Sequence, residues 1–289
     1  MDALKTILAA VDFGRASEAA LAQAVRMAKW NRAKVHALHV VDTGVVIEAE
    51  EMLSILREQI QRSLEDEAKE RWSRFAASRA GCEDCAFEVA VNNPRHAVLG
   101  LARSLSADLL VMGVRADDEG GKGPGPLAVA CTENAPCPVL LTIEGQSAAF
   151  RCVVTGTDFS QTSIRALIAG GRVALQDGAA LHVVHVVRPQ ALRALSAAKQ
   201  AEAIASLRDR VEAECAKLGD VLGYLRPRIE VIEHASHGRG LVEYARNVNA
   251  DLIALGTRGR TNMREVLLGS TAERVVRSAG RSVLTIPAV

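Results

Sequence analysis

The residues best suited to hold a charged ligand are Gly256-Thr257-Arg258-Gly259-Arg260 and, further on, Gly269-Ser270-Thr271, at the spacing Gly-x2-Gly-x9-Gly-Ser. An apolar run leads into Gly256, and the residues after Gly269 read as a helix reaching about Arg277. Backbone N–H groups at a helix start lack intrahelical partners and attract anions, and the hydroxyls of Ser270 and Thr271 can add donors. Glycine at 256 permits close approach of the backbone to a ligand, and glycine at 259 permits a tight turn. Arg258 and Arg260 can form charge-assisted bonds to phosphate. The chemistry is that of a phosphate cradle; a capped helix behind a Gly-rich loop with solvated arginines is the plainer alternative. A second stretch, Thr155-Gly156-Thr157-Asp158-Phe159-Ser160, places a carboxylate between an apolar run and a helix. Asp158 can serve a ligand or only the helix dipole.

Elements must position these residues, and the chain supplies them twice. Lys5-Thr-Ile-Leu-Ala-Ala-Val-Asp12-Phe13, then Ser17, recurs as Arg151-Cys-Val-Val-Thr-Gly-Thr-Asp158-Phe159, then Ser163. Val35-His-Ala-Leu-His39-Val-Val recurs as Leu181-His-Val-Val-His185-Val-Val, and Ala107-Asp108-Leu-Leu-Val-Met-Gly113 as Ala250-Asp251-Leu-Ile-Ala-Leu-Gly256. Three markers in one order predict two homologous domains, 1–146 and 150–289, each large enough to bury its own core. In the first copy, strands are expected at 6–11, 35–41, 86–91, 108–113 and 139–143, helices at 16–30 and 96–105, and a charged helical segment over 46–79. In the second copy, strands are expected near 152–157, 181–187, 229–233, 251–256 and 283–286, with the charged helical segment at 190–218. Alternating apolar strands and helices predict an α/β fold: two tandem doubly wound domains, each a five-stranded parallel sheet between helices, of the Rossmann-like nucleotide-binding kind. Ligands of such sheets bind beyond the carboxyl ends of the strands, where strand order reverses.

Composition narrows the function. With 49% hydrophobic and 24% charged residues and a net charge of +1, the chain has globular composition and no general attraction for nucleic acid or anionic membrane. Aromatic residues are only 3%, too few for a base-stacking platform. The apolar run before Asp12 is too short for a leader or a membrane span, so a cytoplasmic location is expected, where six cysteines stay reduced. Cys82 and Cys85 form a lone Cys-x-x-Cys ahead of a strand, which favours a structural role. His36/His39 and His182/His185 lie on strands, where i and i+3 face opposite sides; with His234/His237 they read as core or rim residues, and no metal ligands are expected. Gly123-x-Gly125-x-x-Ala128 mimics a dinucleotide fingerprint, but its prolines and its place after the fourth strand count against it, and no Walker A sequence occurs. Around the motif stand positive and neutral donors but no second carboxylate or histidine clearly placed as a general base, so no catalytic residue is assigned.

Each copy resembles a universal stress protein domain, and Gly256-x2-Gly259-x9-Gly269-Ser270 is similar to the signature of that family's ATP-binding branch. Thr157-Asp158-Phe159-Ser160, His185-Val186 and Leu267-Leu268 extend the likeness. The resemblance implies ATP or another adenine nucleotide, with magnesium, in the second copy. Asp158, Val186 and the backbone of Leu255 and Gly256 would meet the adenosine end; Gly259, Gly269, Ser270 and Thr271 would surround the phosphates. Gly156, Thr157, Arg258 and Arg260 complete the candidate set. Ala235-Ser236-His237 stands where the family often has Gly-x-Pro. Copy one departs further: Ala116 replaces the second glycine, Asp117-Asp118-Glu119 follow, and Pro126 takes the place of Ser270, removing both an N–H and a hydroxyl. It therefore reads as a degenerate half. By resemblance the copies would pair through Val139–Ile143 and Val283–Ile286 as an intramolecular pseudo-dimer, with a homodimer as a further step. The expected function is a nucleotide-dependent regulatory module in a stress response, with a slow ATPase or self-phosphorylating enzyme as the alternative and a ligand-free dimerisation scaffold as a third reading.

Overall fold

The computed structural model describes residues 4–53, 56–77, 79–115, 124–193, 195–259 and 268–288. They form two compact units, one from Asp2–Ala116 with Pro124–Ala148 and the other from Ala149–Val289.

The first unit runs β1 (Thr6–Ala10), α1 (Arg15–Asn31), β2 (Lys34–Asp42), α2 (Thr43–Leu53), α3 (Arg57–Ala77), β3 (Ala86–Asn92), α4 (Pro94–Ser104), β4 (Leu109–Val114), α5 (Pro126–Asn134) and β5 (Val139–Ile143). Its strands are all parallel, in the order β3-β2-β1-β4-β5. The central strands are apolar along their length because helices cover both faces: Leu109, Leu110 and Val111 are fully buried. The helical segment over 46–79 is two helices. Val46 of α2 and Ile60 of α3 share one cluster with Val41. Along a single straight helix those residues would stand about 21 Å apart, so the chain must turn between them.

The second unit repeats the plan: β6 (Cys152–Gly156), α6 (Gln161–Asp177), β7 (Ala180–Val187), α7 (Pro189–Leu192), α8 (Ala197–Lys217), α9 (Gly219–Leu222), β8 (Arg228–Glu233), α10 (His237–Asn247), β9 (Leu252–Gly256), α11 (Ser270–Ser278) and β10 (Ser282–Ile286). The order is β8-β7-β6-β9-β10, again all parallel. Order reverses between β1 and β4 in one unit and between β6 and β9 in the other, which sets the carboxyl ends of β6 and β9 side by side.

The repeated Ala-Asp marker has a structural cause. Asp108 Oδ2 accepts from the N–H groups of Lys5 and Thr6 at 2.7 and 2.9 Å, and Asp251 Oδ2 accepts from Arg151 and Cys152 at 2.6 and 3.2 Å. In both units this carboxylate ties the entry of the fourth strand to the entry of the first.

Candidate functional site

At the exit of β6 the backbone turns sharply. Phe159 takes a left-handed conformation, φ 65°, and Phe13 does the same in the first unit, φ 62°. The turn aims Asp158 across the sheet rim. Its Oδ1 accepts from Ser160 N–H at 3.0 Å, and Ser160, not Asp158, caps α6 by accepting from Ser163 N–H at 3.2 Å. Asp158 stands two residues before that cap, near the positive end of α6.

On the neighbouring strand, β9 ends at Gly256. A Cβ there would lie 2.8 Å from Thr162 Cβ and 3.0 Å from the Thr162 carbonyl carbon, and a Cβ on Gly113 would lie 2.3 Å from Ala16 backbone atoms. A glycine stands here because the first turn of α6, or of α1, presses against the strand end. The unit without the phosphate motif has the same glycine, so packing requires it, beside any close approach to a ligand that it permits. Gly156 has a similar role: its missing Cβ would meet Leu241 Cδ2 of α10 at 2.9 Å.

The other glycines converge. A Cβ on Gly259 would lie 2.6 Å from Asp158 Oδ2, and one on Gly269 would lie 3.1 Å from Thr257 O and 4.0 Å from Gly259 N. Gly269 N–H donates to Thr257 O at 2.7 Å, while Thr257 N–H continues the sheet to Ile286 O at 2.8 Å. Both ends of the loop after β9 are thus fastened to one strand exit, with Arg258 between them. Arg260 lies outside the described residues, as does Ala116 of the first unit.

Gly269 is the N-cap of α11, and Ser270 and Thr271 occupy its first turn. The first intrahelical bond is Glu273 N–H to Gly269 O, 2.9 Å, so the N–H groups of Ser270, Thr271 and Ala272 have no partner within the helix. Ser270 is exposed and makes no capping bond. In the first unit Gly125 and Pro126 hold the corresponding places at the start of α5. Proline removes one of the donors, and a Cβ on Gly125 would meet nothing within 4 Å, so that glycine is not drawn against a strand exit as Gly269 is.

Val186 is nearly buried on β7, with Cγ1 3.1 Å from where a Cβ on Gly240 would stand. Leu255 is buried between β6 and β10 partners and can offer only its backbone. Thr157 Oγ1 lies 3.5 Å from Ser163 Oγ and accepts from Phe159 N–H at 3.3 Å.

Beneath the rim lies a stack present in both units and not anticipated. His185 Nδ1 sits 2.8 Å from Thr157 O, its ring 4.8 Å from Phe159, and Arg210 of α8 covers Phe159 at 4.0 Å. His39 Nδ1 sits 2.8 Å from Val11 O, its ring 4.6 Å from Phe13, and Arg71 of α3 covers Phe13 at 4.8 Å. The repeated Asp-Phe and His were visible in sequence; the arginines, on helices that do not align by eye, were not. One contrast separates the units. Ser17 Oγ donates to Asp12, which with Gly14 N–H outweighs burial and holds that carboxyl below its usual range. Ser163 instead gives its single hydroxyl proton to Ser160 O, 2.9 Å.

The turn at the start of α10 also reaches this site. His237 opens α10 behind the N-cap Ser236, close enough to Asp158, His185 and Arg188 to feel their charges. A Cβ on the next residue, Gly238, would meet Thr271 O of α11 at 3.0 Å. No histidine stands near the motif in sequence; the fold brings one there.

A family model described as the universal stress protein family matches residues 3–142 and again 149–287. The chain belongs to the universal stress protein family. Over 141 residues it is 30% identical to universal stress protein MJ0531 of Methanocaldococcus jannaschii, an alignment spanning 47% of this chain and 82% of that protein. A solved universal stress protein from Archaeoglobus fulgidus matches 98% of both chains at TM-score 0.69 and 19% identity. A functionally unknown protein, PA1789 of Pseudomonas aeruginosa, covers 99% of this chain and 93% of its own at TM-score 0.64 and 17% identity. At these identities the solved structures speak to the tandem fold alone.

Other signals in this universal stress protein have structural roles. Cys82 and Cys85 lie in the turn between α3 and β3. Burial and the neighbouring Cys82 push the Cys85 thiol up to about 12, so it is a poor source of thiolate. His182 Nδ1 pairs with Tyr244 Oη at 2.8 Å. Among the described residues no group of three His, Cys, Asp or Glu is placed to hold a metal, and no helix is long and apolar enough to cross a membrane. A cleft of about 440 Å³ in the first unit is lined by Arg95, His96, Leu99, Arg103 and Asn134 and shares no residue with the candidate site.

Proposed function

We propose that the second unit binds one ATP per chain and that nucleotide occupancy makes this universal stress protein a regulatory module. The observation that carries this reading is the convergence of Asp158, Gly259 and Gly269 at one strand exit, with Gly269 N–H bonded to Thr257 O at 2.7 Å. The glycines let the loop backbone close on Asp158 and Thr257 O, and the first turn of α11 offers N–H groups and hydroxyls to phosphate. Asp158, Val186 and the Leu255–Gly256 backbone would meet the nucleoside, with Asp158 suited to accept from ribose hydroxyls. Arg258, with Arg260, would balance the phosphate charge.

Magnesium prefers oxygen ligands and keeps much of its water. When bound, it would neutralise part of the phosphate charge, and Asp158 is the described carboxylate at the rim that could hold its water shell. The first unit, with Pro126 in place of a serine at its helix start, has fewer donors for a triphosphate and takes a structural or regulatory part.

Calorimetry with ATP and magnesium should give one site per chain, and mass spectrometry of nucleotide released from the purified protein should identify the ligand carried. Two sites, or none, would overturn the reading. Phosphate release followed over hours separates binding from the slow ATPase alternative.

A further inference from the structure

The two units differ at one position that the phosphate motif does not cover. The helix after the third strand of each unit opens behind a polar cap, Asn93 for α4 and Ser236 for α10. In the first unit the next residue is Pro94, whose fixed φ suits the first helical position; in the second it is His237. The unit with the cradle has thus given up a helix-starting proline for a titratable ring.

The fold fixes where that ring stands. His234 Nδ1 accepts from Ser236 N–H at 2.9 Å, and a Cβ on Gly240 would lie 2.7 Å from His234 and 3.1 Å from Val186, so the α10 start is held against the end of β7. On its other side, Gly238 packs against Thr271 and Arg274 of α11. His237 therefore lies between the nucleoside side of the site and the helix start that faces the phosphates.

The charges around it come from every packed element. Arg188 and His185 face it from β7 and its exit, Asp158 from the turn after β6, and Arg274 flanks it from α11. On its own segment are Arg239, His234 and Glu243, the last two 3.4 Å apart. Burial, then Arg188 and His185, lower its affinity for a proton, against the weaker pull of Asp158. Two helix starts with their positive ends nearby add to that disfavour. A polyphosphate entering the same space would reverse the local field.

Resting on the nucleotide reading above, we propose that His237, set between the α11 start and the end of β7, couples ATP binding to proton uptake: its ring takes a proton from solvent as the phosphates arrive, and holds them as an imidazolium. Binding is then tightest below the proton affinity of the empty site. It weakens, by up to about tenfold per pH unit, as pH rises through the higher value of the occupied site.

The test is calorimetry of ATP with magnesium at pH 6.5, in two buffers of different ionisation enthalpy, on the wild type and H237Q. Wild type should take up more protons per ATP than H237Q, the nucleotide's own protonation being common to both, and H237Q should lose the matching part of the pH dependence. An NMR titration of the wild type adds a readout that needs no variant: the imidazole signal absent from H237Q should move to a higher midpoint when ATP is present. Equal proton numbers, or a midpoint unmoved by ATP in a protein that binds it, would overturn the role of His237 alone. No binding heat for wild type at pH 6.5 or 8 would instead sink the nucleotide reading and this inference with it.

Discussion

Ser270 decides whether the helix start or some other surface holds phosphate. It is exposed, sits one residue inside α11, and makes no capping bond, because Gly269 occupies the cap. Ser270→Ala should therefore leave the ligand-free melting temperature unchanged while removing a hydroxyl donor. A hydrogen bond to a charged group contributes about 1.5–3 kcal/mol, so ATP should bind roughly 10- to 150-fold more weakly. Ser270→Pro, which copies Pro126, should weaken it further and still fold, since proline is tolerated at that position. Unchanged affinity in the proline variant, measured by titration, would move the phosphate site elsewhere. Gly259→Ala tests the opposite wall. Its Cβ would fall 2.6 Å from Asp158 Oδ2, and a carboxylate at the end of a short side chain can swing away. Fold stability should hold while ATP affinity drops with the displaced Asp158.

At the scale of elements, the glycine ending the fourth strand is a packing residue. Gly113→Ala would drive a Cβ to 2.3 Å from Ala16 backbone atoms, which cannot rotate aside as a side chain would. Overpacking of this kind costs about 1–3 kcal/mol, roughly several degrees of melting temperature at this size. Gly100→Ala, on α4 with nothing within 4 Å of the new methyl, should instead stabilise by about 0.5–1 kcal/mol, and comparing the two melts controls for the loss of a glycine as such. This also marks how far the sequence could be read. The β-α alternation and the repeated Asp12/Asp158 and Asp108/Asp251 markers gave the sheet and its duplication, because a strand buried on both faces must be apolar and its turns must recur. Gly256 was legible as a glycine that something requires, but not as one that α6 requires. A contact between the end of one strand and a helix begun from another is set by topology, and no local spacing records it. His237 reads as a core or rim residue for the same reason: it lies far from Gly259 and Gly269 in sequence, and its helix reaches the site only because α10 and α11 pack start to start.

For the whole molecule, duplication supplies an internal control that few proteins offer. Both units share the strand order, the Asp turn and the His–Phe–Arg stack, so these features belong to the fold and do not tell the two units apart. Among the described residues, only those of the second unit combine them with Gly259, the Gly269–Thr257 bond and a proline-free helix start. Ligand that binds the native state alone stabilises by RT ln(1 + [L]/Kd), about 2.7 kcal/mol at a hundredfold excess over Kd. Hydrogen exchange should place that protection. With ATP and magnesium added, peptides covering 153–159, 184–188, 255–259 and 268–273 should exchange more slowly, because their amides either contact the nucleotide or open only when it leaves. Peptides covering 7–13, 38–42 and 124–130 hold the matching places in the first unit and should show less change at the rim, most plainly at 124–130, where Pro126 offers no N–H. Protection of equal size at both rims would mean that the first unit also takes a nucleotide and that Pro126 does not close it. Protection confined to 124–130 and its neighbours would reverse the roles assigned to the two halves.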